Sequence, residues 1–126
     1  MLKRVTVTTV PTIVHDQGGG AFGIFAVFLK NAGAVPLNSF AIQGRNSSIA
    51  TWVDIATTAE QFLSLPSSLN SFLTASDASI SPTLLPANGE WNGAIYNRTF
   101  LYFRLVATVA SGSTEIDVEV TNGGNI

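Results

Sequence analysis

Residues 21–29 read AFGIFAVFL, the strongest strand signal in the chain. Because successive side chains of a strand point to opposite faces, these apolar residues divide into two sets. The sets are Phe22, Ile24, Ala26 and Phe28 on one face, and Phe25, Val27 and Leu29 on the other. A sandwich of two sheets covers only the inner face of each sheet. The outer face of this strand therefore requires a loop, a helix or another subunit to cover it.

Period-2 alternation continues outward from this stretch in both directions. Residues 5–8 alternate Val with Thr, and Pro11 then interrupts the ladder, which predicts a strand that lies at an edge or bends there. Residues 49–55, 91–96 and 100–109 are predicted to be strands, as is a short piece around Phe40. Ser111-Gly112-Ser113 is interpreted as a hairpin turn into a last edge strand, 115–120, with one acidic and one apolar face. Such strand spacing indicates an antiparallel sandwich of about seven strands.

Residues 57–81 break this alternation and predict an insertion that is either a long loop or short helix. Thr57 and Glu60 have the spacing of a helical capping box, and apolar residues then recur at helical intervals. Phe62, Leu65, Leu69 and Phe72 make this segment a candidate contact surface, since it carries few charges. The alternative is that these residues plug the open end of the sandwich.

The charge content is low. Six basic and eight acidic residues make up 11% of the 126 residues, where an ordinary soluble domain has about 25%. Either the chain is an ordinary neutral β-domain, or copies of itself or a partner cover much of its surface, since interface cores are poor in charge. With a net charge of −2 and no basic cluster, nucleic-acid binding is not expected. No apolar run reaches the roughly 20 residues that span a bilayer, so no membrane partner is expected either.

The residues that usually carry chemistry are scarce. The chain has no Cys and a single His, which excludes disulfides, thiolate sites and multi-histidine metal sites. His15-Asp16 is interpreted as part of a solvated loop, and Gly18–Gly20 lacks the Lys-Ser/Thr ending of a phosphate-binding loop. We therefore predict no catalytic residue, no cofactor and no metal site. Arg104 lies among aromatic residues, where a buried or interfacial ion pair or a cation–π contact is expected, and Asp54 is the candidate partner for an ion pair.

Several segments resemble small virion structural proteins of tailed bacteriophages. They are Phe25–Leu37, Ala50–Ala56, Leu84–Gly89, Tyr102–Ala107 and Ser113–Val118. The resemblance implies an Ig-like β-sandwich, and several such proteins are capsid cement (decoration) proteins over the joints between capsomers. It also implies a homo-oligomer, preferably a trimer, located in the virion after assembly in the host cytoplasm. The implied partner is the major capsid protein or another virion protein.

The sequence thus predicts an all-β fold, with residues 1–126 forming one antiparallel β-sandwich of Ig-like or jelly-roll-like type. The predicted function is that of a non-enzymatic capsid cement protein. The alternative is an adhesin-like or carbohydrate-binding module of a fibre or cell surface. The predicted partner-interface residues are Phe62, Leu65, Leu69 and Phe72 of the insertion, together with Phe22 and Phe28 of the apolar strand.

Overall fold

The computed structural model describes residues 2–20, 23–56, 71–75, 85–97 and 100–124, with the backbone alone at 54–56, 71–75, 91–94, 96 and 123–124. These residues form nine strands and no helix. The strands are β1 (Lys3–Val7), β2 (Thr12–Gln17), β3 (Gly23–Asn31), β4 (Leu37–Arg45), β5 (Val53–Ala56), β6 (Ser71–Ala75), β7 (Glu90–Asn97), β8 (Tyr102–Val109) and β9 (Thr114–Gly124).

The strands form two antiparallel sheets, in the orders β1-β9-β3-β7-β6 and β2-β8-β4-β5. Strands pair from the two ends of the chain inward: β1 with β9, β2 with β8, β3 with β7, and β4 with β5. Successive pairs alternate between the sheets, as if one long hairpin had been rolled up. This order is that of a jelly roll, with β6 added beside β7. The all-β sandwich is confirmed, and its strand order follows the jelly-roll alternative, not the Ig-like one.

The core lies between the two sheets and follows the predicted alternation. In β3, Phe25, Val27 and Leu29 are buried, and in β8 Phe103, Leu105 and Ala107 are buried. The rings of Phe25 and Phe103 meet edge-on across the two sheets, with centroids 5.0 Å apart. Such a contact adds about 0.5–1.5 kcal/mol to the apolar burial of the two rings.

The two C-terminal strands do not form the predicted hairpin. β8 pairs with β2 and β4, whereas β9 pairs with β1 and β3, so Ser111-Gly112-Ser113 connects one sheet to the other. β9 also lies inside its sheet, which corrects its assignment as an edge strand; β1 is the edge, as predicted. The turn residues supply the left-handed backbone at Gly112, and this is needed equally by a hairpin and by a crossing between sheets.

One end of the sandwich is held together by the buried side chain of Asn31. Its Nδ2 donates to the carbonyls of Val35 and Leu85, at 2.7 and 3.3 Å. Its Oδ1 accepts from the amide of Gly33 at 3.1 Å and the hydroxyl of Thr114 at 2.7 Å. A single amide thus joins the β3–β4 connection, the segment before β7 and the start of β9. All four hydrogen-bonding positions of the side chain are used, as a buried polar group requires.

Two predicted elements differ from the structure. Residues 49–52 do not belong to a strand; β5 begins only at Val53, and Ile49 is 93% exposed in the β4–β5 connection. Within the predicted insertion, residues 71–75 form β6 and pair with β7, so the helical spacing of Leu69, Phe72 and Leu73 did not indicate a helix there. The capping box at Thr57 and Glu60 lies outside the described residues.

Candidate functional site

The predicted interface residues are only partly within the described structure. Phe22, Phe62, Leu65 and Leu69 lie outside the described residues. The backbone of Phe72 lies in β6 opposite Tyr96. Phe28 is half-buried on the outer face of β3, opposite Glu119 of β9. Of the predicted set, Phe28 therefore lies where the sequence analysis placed it.

The outer face of β3 remains apolar and partly open among the described residues. Ile24 and Phe28 are half-buried, and Ala26 between them is exposed. The row of acidic residues on neighbouring β9 is partly neutralised, because the guanidinium of Arg4 bonds both carboxylate oxygens of Asp117 at 2.7 and 3.0 Å. That hydrogen bond lowers the pKa of the Asp117 carboxyl. This face presents a narrow apolar strip beside paired charges.

A denser cluster lies on the outer face of the other sheet, around the indole of Trp52. The guanidinium carbons of Arg45 and Arg104 lie over this ring, 4.2 and 4.3 Å from its centroid. Arg45 also lies 5.4 Å from the ring centroid of Tyr102. The register of β4 and β8 brings the two arginines to the same side of the sheet. Arg45 pairs with Tyr102 and Gln43 with Arg104, so both arginines occupy the same face of adjacent strands. The cation–π contact predicted for Arg104 is confirmed.

The two arginines are held by neutral groups. Arg104 donates its Nε to Oε1 of Gln43 at 2.7 Å, and Arg45 donates an Nη1 hydrogen to the carbonyl of Ala50 at 3.3 Å. Neither forms an ion pair with a described residue; the side chain of Asp54 lies outside the described residues. The Nε of Arg45 is buried and has no hydrogen-bond partner in the described part of the chain. Two positive charges thus contact one indole ring, whose negative faces attract both guanidinium groups.

Exposed apolar side chains lie in the connections next to this cluster. Ile49 precedes Ala50, whose carbonyl binds Arg45, and is 93% exposed. Leu101, 38% exposed, is tied to the same connection through its amide, which donates to Oδ1 of Asn46 at 2.7 Å. Val53 at the start of β5 is exposed as well. We call the set Arg45, Ile49, Trp52, Leu101 and Arg104 the arginine–tryptophan surface.

Sequence reasoning identified part of this surface and missed the rest. Arg104 was predicted to contact aromatic residues, but Arg45 and Ile49 were not predicted to be part of a site. The predicted strand over 49–55 concealed Ile49, although the polar run Arg45-Asn46-Ser47-Ser48 before it is typical of a turn. Arg45 could be connected to Trp52 only once β4 was known to lie beside β8.

His15 differs from the predicted solvated loop residue. It lies in β2, half-buried, with its ring tilted against that of Phe103 at a centroid distance of 6.2 Å. Its Nε2 lies 2.9 Å from Oε1 of Gln17. Burial lowers the pKa of His15, while the hydrogen bond to Gln17 acts in the opposite direction. These contacts assign His15 a packing role.

The described residues contain no group of three or more His, Asp or Glu side chains placed to hold a metal ion. They also contain no helix long and apolar enough to cross a membrane. The arginine–tryptophan surface is the candidate functional site that the geometry supports. No family model matches the chain, and neither a curated protein nor a solved structure is significantly similar to it.

Proposed function

We propose that this chain is a non-enzymatic virion structural protein, a capsid cement protein that binds the outer capsid surface at capsomer joints. The observation that carries the proposal is the arginine–tryptophan surface: Trp, Tyr and Arg, with exposed Ile and Leu around them, on a domain with 11% charged residues. Protein interfaces are enriched in these aromatic and Arg side chains and poor in other charges.

The fold and the partner proposal are compatible. Jelly rolls serve both as capsid domains and as lectins, so the fold alone does not choose between the two functions. The cluster favours a protein partner, because two guanidinium groups already lie over the Trp52 ring where a sugar would stack. The proposed location is the virion, after assembly in the host cytoplasm, and the proposed free state is a homo-oligomer, preferably a trimer.

A cement protein stabilises a shell by adding contact area across joints that internal pressure pulls apart. If each copy buries about 800 Å², the contribution of one partner to a standard interface, several modest contacts combine into a strong clamp. This requires no chemistry, only a rigid domain with an exposed adhesive surface. The apolar strip on β3 could serve contacts between copies.

The test is to purify particles from the natural source on a density gradient and quantify this chain against the major capsid protein by mass spectrometry. We expect a fixed ratio in intact shells. Shells depleted of the chain should break at a lower temperature, and purified protein should restore their stability. Particles without the chain would contradict the proposal. Specific binding to a glycan array would favour the adhesin-like alternative.

A further inference from the structure

We propose that the arginine–tryptophan surface is a docking site for a protein segment that presents a carboxylate beside apolar side chains. The partner is a protein other than this chain, and the carboxylate of its Asp or Glu pairs with the guanidinium group of Arg104, next to that of Arg45. The inference deepens the proposed function, since it states what the contacted capsid surface must carry.

Both arginines of the surface carry a positive charge and have unused hydrogen-bond donors. Each guanidinium has five N–H donors, and the described hydrogen bonds use one donor of each. Two acids flank the arginines in register: Asp16 opposite Arg104, which forms no ion pair with either arginine, and Asp54 opposite Gln43, whose side chain lies outside the described residues. Two like charges held near one ring are best neutralised by an anion with two acceptor oxygens. A carboxylate meets that requirement and pairs with planar guanidinium groups through parallel hydrogen bonds.

The side chains of Arg45 and Arg104 are preorganised in the free protein. The Arg104 side chain is fixed by Gln43, the Arg45 side chain by Ala50, and both by the Trp52 ring. A ligand that meets side chains already in place avoids much of the entropy cost of ordering them. The cluster is therefore arranged before any partner arrives.

The apolar side chains next to the arginines favour a protein partner. Ile49 and Leu101 are exposed in the connections next to the cluster, and Val106 and Ile13 lie next to Arg104 on the outer face of β8 and β2. Apolar side chains on a flat sheet face match a protein surface better than a free carboxylate metabolite, which needs a concave site. Because these side chains would exclude water, they would strengthen the charge-assisted hydrogen bonds.

A second copy of the chain is the competing occupant, because β9 carries Glu115, Asp117 and Glu119 in a row. That row lies on the outer face of the five-stranded sheet, on the opposite side of the sandwich from Arg104. Contacts that join opposite faces repeat in one direction and build an open stack, not a closed ring. Asp117 is moreover already paired with Arg4.

The first arm of the test uses a small probe. N-acetyl-glutamate amide, with N-acetyl-glutamine amide as its neutral match, is titrated at millimolar concentration while NMR follows the indole N–H of Trp52, assigned with Trp52→Phe. We expect a saturable shift with the acid and none with the amide, and loss of that shift in Arg104→Gln. Equal responses to both probes, or an unchanged shift in the variant, would overturn the inference.

The second arm uses capsid shells stripped of this chain. Arg104→Gln should bind at least tenfold more weakly than the natural protein, whereas Arg4→Gln, which removes an arginine from the other sheet, should bind equally well. Arg104→Gln keeps a group able to bond Gln43, so it should fold; thermal melting checks this. Equal binding of Arg104→Gln and the natural protein would overturn the inference while leaving the proposed function intact. If the natural protein itself does not bind the shells, the proposed function fails. The small-probe arm then decides whether the surface binds a carboxylate.

Two further outcomes would assign the surface to another occupant and so overturn the proposal. Polygalacturonate binding tighter than a Glu-containing peptide, with dependence on Arg104, would identify an anionic carbohydrate. Concentration-dependent growth of the free protein into long assemblies that Arg104→Gln abolishes would identify a second copy.

Discussion

Replacing Asn31 with Ala should remove the polar junction at one end of the sandwich. The change deletes four hydrogen bonds and leaves Gly33 N–H, the Val35 carbonyl and the buried Thr114 hydroxyl without their partner. The Leu85 carbonyl keeps its second bond, from the amide of Leu37. A buried polar group left unpaired costs about 1–3 kcal/mol. Allowing for relaxation and water entry, the free energy of unfolding should fall by about 3 kcal/mol.

Urea unfolding at 25 °C, followed by circular dichroism, measures this change. The midpoint should fall with an unchanged slope, and the melting temperature should drop by roughly 10 °C. Asn38→Ala is the matched control, because Asn38 is exposed in β4 and should change stability by no more than about 0.5 kcal/mol. If Asn31→Ala unfolds within that margin of the natural protein, the role assigned to this amide is refuted.

Three further changes test other parts of the fold. Gly44→Ala would place a Cβ 2.5 Å from the Phe100 ring, so the free energy of unfolding should fall by about 1–3 kcal/mol in urea titrations; a neutral result would refute that packing. Because burial lowers the pKa of His15, the unfolded chain binds the proton more readily, and stability should fall as pH drops below about 6.5 toward the lower folded pKa. His15→Gln should flatten that stretch of the urea midpoint–pH curve, and an unchanged slope would contradict the assignment. Asp117 has a lowered pKa, so its pairing with Arg4 stabilises above the ordinary Asp range and is lost as pH falls through the lower folded value. Because the pair is exposed, Asp117→Asn should leave the melting temperature at pH 7 almost unchanged, and a large drop would mean that the pair matters more than its exposure allows.

The sequence predicted what depends on neighbouring residues along the chain. Alternation identified the buried faces of β3 and β8, since a period of two is a local property of a strand. It could not identify strand partners. Ser111-Gly112-Ser113 has the same turn chemistry whether the chain returns in one sheet or crosses to the other, which is why the predicted hairpin is wrong.

The candidate site was only half predictable for the same reason. Arg45 and Arg104 are 59 positions apart in sequence and meet Trp52 only because β4 lies beside β8. Such a pairing has no local signature. Apolar residues in a strand-like pattern can also lie in a turn, as Ile49 does, and only tertiary structure separates the two cases.

Hydroxyl-radical footprinting of the chain, free and bound to purified capsid shells, tests the central claim most directly. We predict that oxidation of Trp52, Ile49 and Leu101 is strongly reduced on the shell. Val10 is the internal control and should react equally in both states. It is exposed in the β1–β2 connection, near the end of β8 that lies far from Trp52. Equal oxidation of Trp52 and Ile49 in the two states, or failure of the chain to bind the shells at all, would contradict the account.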